Sequence, residues 1–571
     1  MTTIFDDPDE FADDQLAGFL DLYADRLRGV PGGVVTLSDG EPKVAVVIGG
    51  GSGHYPAFCG TVGPGLAAGA VVGNIFTSPS AAQAYSVAKA ADQGRGVVLS
   101  FGNYAGDIMN FGIAAERLRK EGIDTRIVVV TDDVASADEP DRRRGIAGDF
   151  SVFKAMGAAA AAGHGIDDVE RVGRAANAAT RSLGVAFSGC TMPGADAPLF
   201  EVPAGHLGLG LGIHGEPGIE DVPLLPAEKL AGLLVDRLLA AAPDPAPSAR
   251  VAPIVNGLGT TKYEELFLLW RHVSALLRER GYTLVEPEVG ELVTSLDMGG
   301  ASLTLQWLDD ELEEYWRADA YTPAYRKVRA PLDRLDASAP DRAAETGDDE
   351  PAPPATTASR EAAAEAARAV RAVRDLLAEH EEELGHIDAV AGDGDHGRGM
   401  LKGANAALRR VDELPPGAGV AWLLARAGRA WAEHAGGTSG VLWGAALEAA
   451  GASLGDDRDA YTPAHVADAV DAFAESVQDL GRASAGDKTL LDALLPFAAA
   501  FREQVSAGAG TAEAWAAAAE TASQGARDTA GLRPRVGRAR PLAEKSVGTP
   551  DAGATSFALV VTRVGDLLTG R

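Results

Sequence analysis

His386-Ile387-Asp388-Ala389-Val390-Ala391-Gly392-Asp393-Gly394-Asp395-His396-Gly397-Arg398-Gly399 brings three carboxylates, Asp388, Asp393 and Asp395, into one short stretch. Gly-Asp-Gly-Asp is poor helix material, because glycine costs roughly 1 kcal/mol in a helix interior and Asp bonds its own local backbone. The stretch therefore predicts a loop between helices. Three acids gathered at one turn repel one another unless a hard cation sits among them. Oxygen ligands with open positions suit magnesium carrying phosphates. Taken alone, the same residues fit a surface Asx turn with solvated acids, so the rest of the chain has to decide.

Outward from this loop, the sequence beyond residue 359 is rich in Ala, Leu and Glu, and Val370, Val373, Leu377 and Leu384 fall on one helical face. A strand candidate occurs only at 557–561, and that run reads equally as buried helix. Residues 359–571 are thus expected to be all-α. Residues 336–358 hold Asp, Glu, Pro, Ala and Thr with almost no large apolar side chain, the composition of an interdomain linker. Residues 1–335 differ again. Apolar runs at 44–48, 97–100 and 126–131 each end in a Gly- or Asp-rich turn followed by a helical pattern, which predicts α/β structure with buried strands. Ala-rich segments at 153–163 and 167–184 read as helices. Runs at 251–255, 282–285 and 302–308 around a helix at 264–279 predict a second α/β subdomain.

Length and charge bound the function. A chain of 571 residues exceeds one hydrophobic core, so two to four domains are expected. A formal net charge of -31 argues against nucleic-acid and anionic-membrane partners, which need basic patches. Two cysteines, Cys59 and Cys190, are too few for a disulfide framework and fit a reducing cytoplasm. The N-terminus is acidic without an apolar signal region, and no run of about 20 apolar residues is present. A soluble cytoplasmic protein is expected.

Three further stretches carry chemistry. Gly49-Gly50-Gly51-Ser52-Gly53-His54 follows the first predicted strand, where ligands bind in α/β sheets. Its spacing fits neither a dinucleotide fingerprint nor a phosphate-binding P-loop, and a plain tight turn explains it equally well. Asn103-Tyr104-Ala105-Gly106-Asp107 places a carboxylate at a second strand end, as a site residue or as a helix cap. In Gly208-Leu209-Gly210-Leu211-Gly212-Ile213-His214-Gly215-Glu216-Pro217-Gly218 the glycines clear space around His214. That imidazole is either solvated or a nucleophile for a ketone carbonyl.

Together with Thr294-Ser295-Leu296-Asp297-Met298, these stretches resemble the substrate half of the dihydroxyacetone kinase family. The acidic loop, Gly436-Gly437-Thr438-Ser439-Gly440, Gly486-Asp487-Lys488-Thr489 and Asp551-Ala552-Gly553-Ala554-Thr555-Ser556 resemble its nucleotide half. The resemblance covers nearly the whole chain outside the linker. It implies an α/β ketose-binding unit over 1–335 and a helical barrel binding ATP over 359–571. It also implies an ATP-dependent kinase acting on a terminal hydroxyl of a short ketose.

By the same resemblance, His214 forms a hemiaminal with the ketone, His54 and Asp107 assist as acid and base, and Gly51, Ser52, Gly53 and Gly102 line the pocket. Asp388, Asp393 and Asp395 hold Mg2+. Asp395, His396, Gly397, Gly436, Gly437, Thr438, Ser439, Gly486, Thr489, Leu490, Asp551 and Gly553 contact the nucleotide, and Arg535 and Arg538 neutralise transferring charge. A homodimer is implied, with the two halves meeting within one chain or across the dimer. The chain departs from the family pattern at Gly102, where Lys is usual, at Tyr55 for Glu and at Asp149 for Thr. Lys missing at 102 is expected to leave room, and the N-terminal half is closest to the erythrulose branch. D-erythrulose 4-phosphate is the expected product. The alternatives are dihydroxyacetone or L-erythrulose as acceptor, and cyclisation of FAD to cyclic FMN at the same metal site.

Overall fold

The computed structural model describes residues 2–38, 40–216, 218–330, 352–536 and 543–570. It divides into two compact units, Met1–Pro340 and Asp341–Arg571. Most of the expected linker, from 336 to 351, lies outside the described residues, as does Arg538.

In the first unit, strands Leu27–Val30 (β1), Gly33–Thr36 (β2), Ala45–Ser52 (β3), Gly69–Ile75 (β4), Val97–Gly102 (β5) and Thr125–Val130 (β6) form one sheet in the order β1-β2-β4-β3-β5-β6. Its four members β3 to β6 are parallel. Every residue of β3 is buried, because both faces of the sheet are covered. Ala45 and Val47 pack on one side with Val87, Phe111 and Leu118 of helices Ala81–Ala91 and Ala105–Lys120. Val46 and Ile48 pack on the other with Val152, Met156, Val169 and Val172 of helices Asp149–Ala161 and Ile166–Ala178. Two-residue alternation therefore feeds two cores from one strand.

The second sheet corrects part of the expectation. It comprises Thr180–Ala186 (β7), His206–Leu209 (β8), Glu220–Pro223 (β9), Arg250–Gly257 (β10), Thr283–Leu284 (β11), Glu288–Gly290 (β12) and Gly300–Trp307 (β13). Its order is β11-β10-β13-β7-β8-β9 with β12 also beside β10, and the pairings from β10 through β9 are antiparallel. The helix expected to run through 184 stops at Ala178, and 180–186 is a buried strand. Alanine at 175, 176, 178 and 179 continues the helical composition across that boundary. Pairing with β13 overrides local propensity.

The second unit is helical throughout its described residues. Helices Thr357–Glu379, His396–Asp412, Val420–Ala435, Gly437–Leu454, Pro463–Gly481, Leu491–Ser506, Thr511–Asp528 and Ala552–Thr569 each pack on the next, and the last packs on the first. Run 557–561 lies in the last helix, where Phe557 and Val561 join the shared core. The first helix starts at Thr357 and takes in the last two residues of the expected linker, because Thr356 caps it by accepting from the Ser359 N–H at 3.0 Å. The acidic stretch is loop only from 390 to 395. Asp388 occupies the last turn of helix Glu381–Ala389, and His396 opens the next helix. No described helix is long and apolar enough to cross a membrane.

Candidate active site

The triple glycine is part of the sheet, not a turn beyond it. β3 continues through Ser52 with a register shift at Gly51/Ser52, and a Cβ on Gly51 would stand 2.6 Å from the Thr77 backbone nitrogen. The turn comes at Gly53, whose φ of +96° suits glycine. It delivers His54 into the interior, 2% exposed.

His54 Nδ1 lies 2.7 Å from the Thr294 carbonyl, which only accepts, so His54 carries its proton there. Its Nε2 lone pair faces His214 Nε2 at 3.0 Å. His214 Nδ1 lies 2.8 Å from Glu216 Oε1, and the His214 backbone N–H donates to Oε2 at 2.9 Å. Two ring nitrogens at 3.0 Å attract only when a proton lies between them. The pair therefore shares one proton, and the Glu216 carboxylate balances its charge. Burial holds the His54 imidazole down to about 3, and the charge on His214 adds to this, so His54 is the accepting partner. Burial alone would raise the Glu216 carboxyl, but its hydrogen bond to His214 and the charge there hold it at about 2.

Aromatic rings enclose this pair. Phe76 stacks on His54 at 5.1 Å and meets His214 edge-on at 5.1 Å, while Tyr104 meets His214 edge-on at 5.0 Å. Phe76 holds φ +53°, a left-handed conformation costly for a bulky residue and found where packing over-determines the backbone. Arg144 contacts Asp133 at 2.9 Å and Glu216 at 3.9 Å, bracing the carboxylate from behind.

Asp107 lies in the first turn of helix Ala105–Lys120 without capping it, and accepts from Ser78 Oγ at 2.8 Å. Burial lifts its carboxyl to about 6, against the pull of Ser78 and His214. Gly102 ends β5, and the room expected beside it is partly filled. A Cβ there would stand 3.0 Å from Tyr104 Cε2 and 3.2 Å from the Gly145 carbonyl oxygen.

In the helical unit, carboxylate oxygens of Asp388, Asp393 and Asp395 lie within 4.8 Å of one another. One Asp388 oxygen accepts from the Gly394 and Asp395 N–H groups at 2.8 and 3.2 Å, which folds the loop back on the helix end. An all-oxygen, partly exposed donor set of this size fits a hexacoordinate hard cation that keeps water or phosphate ligands. His396 links this loop to the others, with Nε2 2.9 Å from Ser556 Oγ and Nδ1 3.5 Å from Ser439 Oγ. Gly436 and Gly437 both hold positive φ, and a Cβ on either would meet nothing within 4 Å, leaving that turn open to a ligand.

Asp551 caps helix Ala552–Thr569 by accepting from the Ala554 N–H at 2.7 Å, and Gly553 packs beside Leu490. The Gly486 and Thr489 N–H groups are both held by Asp492. Lys488, buried at φ +61°, donates to the Ser546 and Thr549 carbonyls at 2.6 and 2.8 Å, tying these loops together. The Arg535 guanidinium is exposed and lies 3.9 Å from the Asp487 carboxylate, while the Arg535 N–H donates to the Asp487 carbonyl at 3.2 Å.

A family model described as the Dak1 domain matches residues 17–324, and one described as the DAK2 domain matches residues 390–566. The chain belongs to the dihydroxyacetone kinase family. It is 57% identical to the D-erythrulose kinase of Mycolicibacterium smegmatis, over 100% of this chain and 99% of that one. It is 53% identical to the L-erythrulose kinase of Pectobacterium atrosepticum, over 100% and 97%. The dihydroxyacetone kinase from C. freundii in complex with AMP-PNP and Mg2+ is similar with a TM-score of 0.59 and 30% identity, over 99% of both chains.

For this dihydroxyacetone kinase family member, sequence reasoning passed over Glu216, Arg144, Phe76, Tyr104, Ser78 and Thr294. Glu216 had a signal. It stands two residues from His214 in the same glycine-rich turn, and the position of Gly212 is where its carboxylate needs space. Tyr104 and Thr294 stand inside motifs already singled out, whereas Arg144, Phe76 and Ser78 come from other elements and left no signal.

Proposed function

We propose that this chain transfers the γ-phosphoryl group of ATP to a terminal hydroxyl of erythrulose held as a hemiaminal on His214. The observation that carries this is the His54–His214–Glu216 chain, which aims one ring nitrogen of His214 with its proton source attached. Full-length similarity to kinases named for erythrulose supports a four-carbon acceptor. D-erythrulose to D-erythrulose 4-phosphate is the specific reading.

In this reading His214 Nε2 bonds the ketone carbon, the proton shared with His54 passes to the carbonyl oxygen, and Asp107 accepts the proton of the attacking hydroxyl. Asp388, Asp393 and Asp395 would hold Mg2+, which neutralises phosphate charge. The turn at Gly436, Gly437, Thr438 and Ser439 offers backbone N–H groups and hydroxyls to phosphate oxygens, with His396, Gly397, Gly486, Thr489, Leu490, Asp551 and Gly553 lining the remaining nucleotide site. We read the closed circuit of helices as a barrel, residues 1–335 as the ketose unit and 359–571 as the ATP unit. A cytoplasmic homodimer completes the reading, supported by two buried unpaired cysteines for the compartment and by resemblance alone for the dimer.

A coupled ADP-release assay over dihydroxyacetone, glyceraldehyde and both erythrulose enantiomers tests it. Preferred turnover of an erythrulose supports the reading. Manganese-dependent release of cyclic FMN from FAD, with no ketose turned over, would replace it with the cyclase.

An Asp107 carboxyl at about 6 must be ionised to accept a proton, so kcat/KM should fall as pH drops through that value. His54, held near 3, does not titrate in this window. Removing the Ser78 hydroxyl removes a group that favours the ionised form. Ser78→Ala should therefore move the acid limb to higher pH, and an unmoved limb would assign it to another group.

Because Tyr104 fills the space beside Gly102, Gly102→Lys should displace the Tyr104 ring from His214 instead of refilling a vacancy. Activity on erythrulose and dihydroxyacetone should then fall together, by roughly 100-fold for an ångström-scale misplacement. A selective gain on dihydroxyacetone would show instead that Lys reaches the pocket without moving Tyr104.

A further inference from the structure

Asp149 opens helix Asp149–Ala161 and is 3% exposed. Its Oδ1 is sealed from solvent and has no hydrogen-bond partner among the described residues. Asp132, equally buried, shows what a structural carboxylate looks like here. Its two oxygens accept from the Ile146 and Gly148 N–H groups, each at 2.8 Å. A buried polar group without a partner is costly, and native structures keep few of them. Such a group beside a binding site is explained when the ligand supplies the missing partner.

The surroundings connect Asp149 to the residues that border His214. A Cβ built on Gly145 would stand 2.8 Å from Asp149 Oδ1 and 2.5 Å from the Gly102 Cα, so the carboxyl and Gly102 flank one point. Tyr104 borders the same point. Its hydroxyl donates to the Gly145 carbonyl at 3.0 Å and its ring meets His214. Burial, with the nearby Asp132 and Asp107 carboxylates, holds the Asp149 carboxyl well above the usual carboxylate range. A protonated carboxyl both donates and accepts, which matches a sugar hydroxyl. Positions 102 and 149, two of the chain's departures from the family pattern, thus converge on one spot.

We propose that Asp149 hydrogen-bonds the secondary hydroxyl that a tetrulose carries and a triose lacks, and so sets preference for both chain length and enantiomer. This rests on the ketose-kinase reading above. The two erythrulose enantiomers differ only in the direction of that hydroxyl, so one group reads both properties.

The wild-type chain gives the first test. Its kcat/KM on the preferred erythrulose enantiomer should exceed that on 1,4-dihydroxy-2-butanone, which lacks only this hydroxyl, by about 10- to 200-fold. In Asp149→Ala that difference should vanish and the ratio between enantiomers should approach one. Activity on dihydroxyacetone should change by less than about threefold, since it never presented the hydroxyl. The unfolding temperature should hold or rise, because an unpartnered buried carboxyl has been removed. Asp149→Asn, a neutral donor and acceptor, should retain the preference. Equal wild-type turnover of erythrulose and the deoxy analogue, or equal losses on triose and tetrulose in Asp149→Ala, would overturn the assignment of Asp149 and leave the kinase intact. A wild-type chain that releases no ADP with any ketose would overturn both.

Discussion

Replacing His214 by alanine is expected to lower kcat/KM for erythrulose by about 1,000-fold or more while nucleotide binding is unchanged. In the proposed mechanism covalent capture fixes the acceptor on the enzyme, and holding a reactant in place is worth several orders of magnitude in effective concentration. The His214 imidazole is held on every side. Glu216 and the His54 Nε2 fix both of its nitrogens, and Phe76 and Tyr104 fix its plane. The residues proposed to bind the nucleotide lie in the other compact unit, so their affinity should not register the change. Stopped-flow or calorimetric binding of an ATP analogue alongside steady-state kinetics separates the two effects. Retained kcat/KM would remove His214 as the anchor.

Asp393→Asn or Asp395→Asn should produce the complementary result, a fall in kcat of about 100- to 1,000-fold with the ketose adduct still formed. An amide offers the same shape without the charge a divalent ion requires, and electrostatic stabilisation of transferring phosphate is commonly worth that much. Asp388 is a poorer choice for the experiment. One of its oxygens already holds the Gly394 and Asp395 N–H groups, so its replacement would also unfold the loop. Borohydride trapping followed by mass spectrometry detects the adduct on His214. Its loss along with turnover would mean that the two chemistries are not separable.

The parts of the fold that could be read from the sequence were those with a strong period or a composition break. Val46 and Ile48 alternate with Ala45 and Val47 as a buried strand must, and the Ala-rich helices beyond 359 keep one apolar face. Strand β7 was hidden because Ala178 and Ala179 extend a helical composition into a segment that long-range pairing makes a strand. In the sequence the triple glycine fits a ligand loop and a tight turn equally, and the structure adds a cause neither reading holds, the close approach of Val71, Phe58 and Thr77 to a strand that continues. At the candidate site, glycines and strand ends flag His54, Asp107 and His214 in the sequence, and the structure brings His54 and His214 into contact. Ser78, Thr294 and Arg144 reach the site from elements separated from it along the chain, and nothing local in the sequence marks Ser78 or Arg144. Gly102 was visible as a departure, but Tyr104, two residues on, decides what the departure means.

In the proposed mechanism, the head-to-head contact of His54 and His214 makes ketose capture isoelectric. Before capture, the paired rings carry one positive charge against Glu216. After the Nε2–carbon bond forms and the shared proton has moved to the carbinol oxygen, the His214 ring is N-alkylated, still protonated at Nδ1 and still positive against the same carboxylate. No proton enters or leaves the pocket, and no counter-ion has to be exchanged. A low-dielectric enclosure of aromatic rings, which would penalise the appearance of a new charge, can therefore surround the reacting carbon without opposing the reaction.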